Sequence, residues 1–459
     1  MDLLKKIKIE LWVLCLAGVL LFIGLVGFGS LVRHELLAPV SRLPILSGAA
    51  LFIAEIPSNL KDIVRGQSSK LIAKEQRFPN VSGFQGEPVE EETYLLLSKY
   101  DGNTKRSVVE LVDLRSFEIK KTWRPDIDQI NELVDTSFPE HENLHRDNNA
   151  KRYRIIHSFL TEDGGLIFPG PYSPLVKIDK NSQLVWQNQE DAFHHSIEQD
   201  HEGNFWVPTA VYPYQIDKRY VGTEYGRKGS HVYRDDAITK VSADGKILFQ
   251  KSVSNIFIEN NLGFLLFPIT SYFTNDPIHL NDIQPVLSDG PHWKQGDLFL
   301  SLHQQHMIIL YRPSTNKIIW KSVGHTVAQH DVDILDDHRI SIFNNNRRTF
   351  FDGEKVDGNN EVVIYDFKTD LYSKYFDESL IQYDVRSTFQ GRSQILDSGG
   401  LFIEETNHGR LLFFNKDTSL QWQYVNRADD GKAYVVNWSR ILYKPEDIKK
   451  VNKILEMEK

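Results

Sequence analysis

One hairpin pattern recurs six times after residue 90 and restricts the possible folds more than any other feature of this chain. In each copy, an apolar run is followed by a turn of Asp, Asn, Ser, Thr or Gly and then by a second apolar run that closes on an aromatic residue. The copies are VELVDLRSFEIKKTW (109–123), LVKIDKNSQLVWQ (175–187), ITKVSADGKILFQ (238–250), IILYRPSTNKIIWK (308–321), VVIYDFKTDLYSKYF (362–376) and LLFFNKDTSLQWQ (411–423).

The spacing of the closing aromatic residues predicts how these hairpins assemble. The intervals between them are 63, 63, 71, 55 and 47 residues, which leaves room for a four-stranded sheet in each, and the residues are Trp123, Trp186, Phe249, Trp320, Tyr375 and Trp422. We therefore expect an all-β fold, a six-bladed β-propeller over 86–443, because radial repetition of small sheets protects their edges. Two unrelated β-sandwiches are the alternative, but they would not need the same hairpin six times.

The N-terminal region contains a run of 22 residues without a charge, LWVLCLAGVLLFIGLVGFGSLV (11–32). This run is long enough to span the hydrocarbon core of a bilayer, and we expect it to be a single transmembrane anchor. Because Lys5, Lys6 and Lys8 precede it, the positive-inside rule places residues 1–10 in the cytoplasm and the propeller outside, in the periplasm or the extracellular space. A cleaved signal peptide is the alternative, although the run exceeds the usual length of its apolar region.

Two further segments flank the predicted propeller. Residues 33–85 form a membrane-proximal linker, in which 44–65 indicates a short helix that breaks near Pro57. Residues 444–459 predict a C-terminal amphipathic helix that begins at Pro445.

Composition and motifs exclude several classes of function. The net charge of −9 argues against a nucleic-acid partner, and the single Cys15 excludes an intrachain disulfide and a cysteine-based zinc cluster. No phosphate-binding P-loop or G-x-S-x-G elbow is present in the extramembrane sequence. HENLH (141–145) matches the zinc motif H-E-x-x-H, but its polar flanks and Pro139 favour a loop. We expect no cofactor and no metal, and the sequence indicates no particular oligomeric state.

Histidines precede several of the hairpins. His195 and His330 stand at the same distance from the turn that follows them, His157 is one residue out of register, and His279 begins a longer related element that carries His303 on its next strand. Because equivalent inner positions of successive blades converge on the central channel, we expect His195, His279 and His330 to meet there. Neutral imidazoles in a pocket bind metals or perform nucleophilic and acid–base chemistry. The plainer interpretation is that each histidine caps a strand.

The ordered set of motifs resembles the aryl sulfotransferase family, bacterial enzymes that use no nucleotide sulfate donor. The resemblance covers roughly residues 90–440 and depends on FHHSIEQDHEGN, HLND, DLFLSLHQQHMIILYRPSTNKIIWK, AQHDVDIL and STFQGRSQILDSGGLFIEE. It implies that a central histidine takes a sulfuryl group from an aryl sulfate donor and passes it to a phenolic or other hydroxyl acceptor. It assigns the nucleophile to His330, further catalytic roles to His195, His279 and His303, and substrate binding to His194, Asn281 and Arg392.

One position departs from the family pattern. Where the family has an arginine two residues after a serine, this chain has Ser301-Leu302-His303. A histidine cannot make the bidentate contact of a guanidinium group, so another cation is needed, and the candidates on neighbouring blades are Arg347, Arg348, Arg386 and Arg392. The alternative function is a non-catalytic anchored propeller that binds a glycan or a protein partner and has lost catalysis with the arginine.

Overall fold

The computed structural model describes residues 10–37, 43–65, 71–73, 76–221, 233–267 and 274–457. The chain divides into two compact units. The first contains α1 (Leu11–Leu37) and α2 (Pro44–Arg65), which contact each other. The second contains the strands and the remaining helices: α3 (Ile127–Glu132), α4 (Leu144–Asp147), α5 (Lys218–Val221), α6 (Val253–Glu259), α7 (Asp377–Gln382) and α8 (Pro445–Glu456).

The first unit agrees in part with the predicted anchor and linker. Among the described residues, Leu11–His34 is the one helical stretch that is long and apolar enough to cross a membrane, and a signal sequence near an N-terminus meets the same criteria. The helix α2 continues through Pro57, so the predicted break is wrong. A proline removes one backbone hydrogen bond from a helix. The remaining hydrogen bonds of this 22-residue helix stabilise it on both sides of Pro57.

The second unit contains 27 described strands. The first half of the chain supplies β1 (Gly83–Gly86), β2 (Tyr94–Asp101), β3 (Arg106–Asp113), β4 (Glu118–Trp123), β5 (Phe159–Leu160), β6 (Leu166–Phe168), β7 (Ser173–Ile178), β8 (Leu184–Phe193), β9 (Glu198–Gln199), β10 (Phe205–Ala210), β11 (Asp236–Val241) and β12 (Ile247–Ser252). The second half supplies β13 (Leu280–Pro285), β14 (Leu298–Leu302), β15 (Met307–Arg312), β16 (Lys317–Val323), β17 (Val332–Ile334), β18 (Arg339–Asn344), β19 (Arg347–Phe350), β20 (Gly353–Val356), β21 (Glu361–Asp366), β22 (Leu371–Tyr375), β23 (Arg392–Ile395), β24 (Leu401–Glu405), β25 (Arg410–Phe414), β26 (Leu420–Val425) and β27 (Arg440–Leu442).

These strands form antiparallel sheets in a propeller-like arrangement. Sheet I has the order β27-β2-β3-β4, sheet II contains β5 to β12, sheet III has β13-β14-β15-β16, sheet IV has β17-β18-β21-β22, and sheet V has β23-β24-β25-β26-β1. All six predicted hairpins are confirmed as antiparallel pairs. A separate hairpin, β19–β20, is inserted between β18 and β21.

The number of blades does not follow directly from these sheets. Four sheets have four or five strands, whereas sheet II has eight, because Ala192 and Phe193 of β8 pair with Ala210 and Thr209 of β10. The predicted count of six separate blades is therefore not confirmed.

Both ends of the second unit take part in closing the ring. Strand β27, near the C-terminus, pairs with β2, so sheet I combines the two ends of the domain. Strand β1 pairs with β26, which places residues 83–85 in sheet V although the predicted linker included them. The strand β27 thus joins the C-terminal end of the domain to its first sheet, as expected for closure of a ring of sheets.

Buried side chains between neighbouring sheets form the core. One hydrophobic cluster joins sheets I and II, another joins the two halves of sheet II, and others join II to III, III to IV, IV to V, and V back to I. The alternation of each strand supplies apolar residues to both faces, so each sheet packs against two neighbours. The helix α8, close to the predicted C-terminal helix, buries Val451 and Ile454 in the cluster between sheets I and II.

The HENLH segment does not form the helix that a zinc motif requires. A short 3₁₀ helix (Pro139–His141) ends at the first histidine, and α4 (Leu144–Asp147) carries the second. The two histidines therefore do not lie one turn apart on a single helix.

Candidate active site

The backbone takes a left-handed conformation just before β5, β9, β13, β17, β23 and β27. The angle φ is 46° at His157, 56° at His195 and 51° at His279, and the same conformation occurs at Ala328, Gln390 and Trp438. Positive φ is uncommon for residues other than glycine, although histidine adopts it more often than most. Its recurrence one to four residues before each of these strands shows that the chain bends sharply where it enters them.

Five histidines lie together there, and we call them the histidine cluster: His194, His195, His279, His303 and His330. The ring centroids are 5.3 Å apart for His195 and His279, 5.2 Å for His279 and His303, and 5.1 Å for His303 and His330. Those of His195 and His330 are 6.3 Å apart. The buried indole of Trp438 packs against the cluster, 6.2 Å from the ring of His195 and 6.3 Å from that of His330.

His330 is buried and held in one tautomer. Its Nδ1 lies 2.8 Å from Oδ1 of Asn345, whose Nδ2 donates to the carbonyl oxygens of Ser387 (3.0 Å) and Gln390 (2.6 Å). Because those two carbonyls set the orientation of the amide, Nδ1 of His330 carries the hydrogen and Nε2 keeps its lone pair. Nε2 accepts a hydrogen bond from the backbone N–H of Gln390 at 3.0 Å. Burial lowers the pKa of His330 to about 3, so the ring is neutral at physiological pH.

His303 occupies the position at which an arginine was expected, and a guanidinium group contacts it. Nη2 of Arg347 lies 3.3 Å from Nε2 of His303. Arg347 belongs to the inserted hairpin, stacks over the ring of Phe389 at 4.3 Å and pairs with Glu354 at 3.2 Å. Of the four arginines considered from the sequence, Arg347 is the one with a contact to His303 among the described residues. Burial lowers the pKa of His303 well below its ordinary value.

His194 and His195 form a direct pair. Their Nδ1 atoms are 2.7 Å apart, so one ring donates and the other accepts. Nε2 of His194 lies 3.6 Å from Oδ1 of the buried Asp236. Burial lowers the pKa values of both histidines, and neighbouring charges, including that of Arg154, lower the pKa of His195 further. Both rings are therefore neutral.

His279 is oriented by a carboxylate. Its Nδ1 lies 2.6 Å from Oδ2 of Asp276, which also accepts from Nη1 of Arg234 at 3.0 Å. Burial raises the pKa of Asp276, but the hydrogen bond and charge of His279, together with Arg234, outweigh burial and hold that pKa below its ordinary value. An ionised aspartate at Nδ1 orients the ring and leaves Nε2 as the free nitrogen. The side chain of His279 is 23% exposed, which makes it the most accessible member of the cluster.

Asn281 and Arg392 form their hydrogen bonds with groups other than the rings of the cluster. Nδ2 of Asn281 donates to the carbonyl of Gln329 at 3.1 Å and so supports the segment that carries His330. Nη1 of Arg392 lies 3.0 Å from Nε2 of His157, and its Nε lies 3.7 Å from Oδ2 of Asp331. Arg392 also lines a separate cavity of about 600 Å³ with Glu198, Asp333 and Arg440.

Sequence reasoning missed several residues of the site: Arg154, Asp276, Asn345, Gln390 and Trp438. Two of them, Gln390 and Trp438, share with His195 and His279 a positive φ just before a strand, a property that the structure shows and the local sequence does not. Asn345 follows the end of β18, and nothing in its local sequence distinguishes it from its neighbours Asn344 and Asn346.

Peripheral cations surround the cluster, in which four rings are neutral imidazoles: those of His194, His195, His303 and His330. Neutral rings supply nucleophilic lone pairs and N–H donors, and low solvent access strengthens their interactions with an anionic group. Arg347, Arg154 and Arg234 place positive charge at the edge of the cluster. Such a site suits the transfer of a small anionic group from one oxygen to another.

Comparison with solved structures gives only weak similarities. A protein of unknown function from Bacteroides caccae is 11% identical, with a TM-score of 0.45, and the alignment covers 76% of this chain and 98% of that one. A catalytically inactive virginiamycin B lyase from Staphylococcus aureus with quinupristin is 10% identical, with a TM-score of 0.36 and coverage of 74% and 88%. Similarity this weak carries no argument about activity. Comparison with curated proteins gives no match.

A family model gives the decisive comparison. The model described as Arylsulfotransferase (ASST) matches residues 161–427, which is more than half of the chain and includes every member of the histidine cluster. The match agrees with the resemblance seen in the sequence motifs. This chain belongs to the arylsulfotransferase family.

Proposed function

We propose that this protein is a membrane-anchored, nucleotide-independent sulfotransferase that moves a sulfuryl group from an aryl sulfate to a phenolic or other hydroxyl acceptor through His330. The observation that carries the proposal is the tautomer of His330. Asn345 holds the hydrogen on Nδ1, and burial keeps the ring neutral, so Nε2 retains the lone pair that attacks sulfur.

The reaction consists of two displacements. In the first, the Nε2 lone pair forms an N–S bond while the bond from sulfur to the aryl oxygen breaks, and the phenolate leaves with that electron pair. In the second, the acceptor oxygen attacks sulfur, the N–S bond breaks, and its electron pair returns to Nε2. The proton of the acceptor passes to a base in the site, and an equivalent proton neutralises the released phenolate.

His279 is suited to the role of that base. The carboxylate of Asp276 stabilises a positive charge on its ring, and its partial exposure gives an acceptor access to it. His195 lies beside His279 and His330, and His194 is bonded to it. Because each neutral ring carries one hydrogen and one of the two is used in the bond between the Nδ1 atoms, this pair retains a single N–H, on Nε2 of the accepting ring. Asn281 supports the segment before β17, and Arg392 lies beside the carboxylates of Asp331 and Asp333.

The bond from Gln390 to Nε2 of His330 must open before attack, because one lone pair cannot serve both partners. An approaching sulfuryl group would take its place. The same bond favours the second candidate, a non-catalytic anchored propeller that binds a glycan or protein partner, since a permanently occupied Nε2 is not nucleophilic.

We also propose six blades, with sheet II counted as two units, β5–β8 and β9–β12. Six hydrophobic clusters around the ring and six left-handed residues before inner strands support this count. We further propose that residues 11–32 are the anchor and that the propeller begins at β1 (Gly83–Gly86), a few residues before the predicted boundary at 86, and is followed by α8 (Pro445–Glu456). The lysines before the anchor favour a propeller outside the cytoplasm.

Intact-mass analysis of the full chain in detergent tests this function. The protein is mixed with 4-nitrophenyl sulfate and no acceptor, and we expect a mass increase of one SO₃ group together with release of nitrophenol. The His330→Gln variant should show neither, whereas His145→Gln, at an exposed histidine of α4, should behave as the wild type. Turnover without a protein adduct, or equal activity in both variants, would contradict the His330 intermediate. Neither adduct nor turnover with several donors would support the scaffold.

A further inference from the structure

His303 and Arg347 meet at the edge of the histidine cluster. Nη2 of Arg347 lies 3.3 Å from Nε2 of His303, and His303 is only 3% exposed. The contact joins the strand region after β14 to the inserted hairpin β19–β20, two segments that are 44 residues apart in the chain.

This contact determines which nitrogen of His303 carries the hydrogen. A guanidinium group has five N–H donors and no acceptor, so the nitrogen that faces it must present a lone pair. Burial lowers the pKa of His303 well below its ordinary value, and the charges of neighbouring groups, including Arg347, lower it further, so the ring carries a single hydrogen. With Nε2 as the acceptor, that hydrogen is on Nδ1.

Nδ1 of His303 is buried and has no hydrogen-bond partner among the described residues. A buried donor without a partner is unfavourable, and such groups are rare unless a ligand or water satisfies them. The His303 ring lies 5.1 Å from that of His330 and 5.2 Å from that of His279, so an anion bound between these rings would be within its reach.

Two contacts hold the guanidinium group of Arg347 in place beside His303. Its guanidinium carbon lies 4.3 Å above the ring of Phe389, and Nη1 donates to Glu354 at 3.2 Å. The side chain of Arg347 is 11% exposed and that of Glu354 is 46% exposed. Solvent therefore screens the negative charge of Glu354 more than the positive charge of Arg347. The electrostatic potential beside His303 is therefore positive.

We infer that His303 and Arg347 form an oxyanion-binding corner, in which Nδ1–H of His303 donates to an oxygen of a sulfate or sulfuryl group and Arg347 is the positioning residue that fixes the tautomer. Arg347 also polarises the imidazole by withdrawing electron density at Nε2, which strengthens the N–H donor on the other side of the ring. The inference deepens the proposed function and depends on it only for the identity of the transferred group.

Binding of inorganic sulfate tests the corner separately from catalysis. Titration calorimetry of the full chain in detergent, at constant ionic strength with chloride as the reference anion, measures the affinity. We expect Arg347→Ala to weaken sulfate binding roughly 10- to 100-fold, which is the size expected for loss of a charge-assisted contact. Arg348→Ala is the matched control, because Arg348 is the next residue of the same hairpin, 51% exposed and paired with Asp357.

A compensating variant separates positioning from a general structural defect. His303→Arg places a guanidinium directly in the corner, so the double variant Arg347→Ala/His303→Arg should regain most of the sulfate affinity that Arg347→Ala loses. Imidazole ¹⁵N spectra provide a second readout. The His303 signals, identified by their loss in His303→Gln, should show hydrogen on Nδ1 in the wild type and a mixture of tautomers in Arg347→Ala.

The outcomes distinguish this inference from the proposed function. Sulfate affinity that depends on Arg347, with no turnover of aryl sulfates, would support the corner and contradict sulfuryl transfer. Turnover with sulfate affinity unchanged in Arg347→Ala would overturn the corner and leave transfer intact. Absence of measurable sulfate binding by the wild type, or hydrogen on Nε2 of His303, would also overturn the inference.

Discussion

Replacing Arg392 with methionine tests whether this arginine has a structural role. Arg392 is buried and donates from Nη1 to the carbonyl of Ser439 at 3.2 Å. Its Nε lies 3.7 Å from Oδ2 of Asp331, and its Nη2 lies 4.0 Å from Oδ2 of Asp333. Methionine has a similar length but no charge, so the variant loses the cation beside both carboxylates.

The size of the effect follows from these distances. At an effective dielectric constant of about 20, two unit charges separated by about 4 Å attract each other by about 4 kcal/mol. Removing one member of a buried ion pair generally costs about 3–5 kcal/mol. We therefore expect Arg392→Met to lower the free energy of unfolding by about 2–4 kcal/mol at pH 8, where Asp331 of the wild type is mostly ionised; about 4 kcal/mol is the upper bound, because protonation of Asp331 in the variant relieves part of the cost.

The cost should decrease as the pH falls. Burial raises the pKa of Asp331 to about 7, so in the wild type this carboxyl takes up a proton between pH 8 and pH 5 and the ion pair is lost. Without Arg392, which lowers that pKa, the native variant binds the proton at still higher pH, while the unfolded chain does not bind it until the pH is near 4. Stability of the variant therefore rises as the pH falls through this range. We expect the difference in unfolding free energy at pH 5 to be less than half of that at pH 8.

Urea unfolding of the full chain in detergent, followed by tryptophan fluorescence at both pH values, measures the effect. The control is Arg339→Met, because Arg339 is 45% exposed and its pair with Asp336 is worth less than about 1 kcal/mol. Similar small effects for both variants would refute the structural role. Unchanged stability with a raised KM for the donor would return Arg392 to the substrate-binding residues.

Two other predictions concern the nucleophile and the C-terminal helix. Because burial lowers the pKa of His330 to about 3, the neutral ring persists as the pH falls, and the first burst of nitrophenol from 4-nitrophenyl sulfate should show no acid limb near pH 6.5; a limb there would contradict the buried neutral ring. Ile454→Ala should lower the free energy of unfolding by about 2–4 kcal/mol, because Ile454 is 1% exposed in the cluster between sheets I and II, whereas the exposed Lys453→Ala should change it by less than about 0.5 kcal/mol in the same urea experiment.

Local sequence patterns were sufficient to predict the hairpins and the two terminal helices. The alternation in LVKIDKNSQLVWQ, for example, sets which side chains of β7 and β8 face the core, and the turn residues between them set their pairing. Pro57 shows where such reasoning is weak, since a proline signals a break but the rest of α2 continues through it. The joining of two predicted units into one eight-stranded sheet depends on a contact between β8 and β10 that has no local signal.

His195, His279 and His330 were also recognisable in the sequence, because they stand at related positions before strands. His303 was noted on the strand after His279, and His194 was named through the family resemblance. The chemical states of these histidines were not recognisable. Asn345 determines the tautomer of His330 from 15 residues away, and Arg347 determines that of His303 from 44 residues away. Four arginines were equal candidates for the missing cation, and only the path of the inserted hairpin distinguishes Arg347 from the others.

The amino-acid sequence by itself determined the repeated hairpins, the apolar N-terminal helix and the residue types at the centre of the ring, because periodicity and turn chemistry involve residues that are close along the chain. The tertiary structure decided which rings meet, which nitrogen carries each hydrogen and which carboxylates Arg392 neutralises. These properties depend on burial and on hydrogen bonds between distant segments, and the energy of an ionisable group changes with every charge and donor that folding brings beside it.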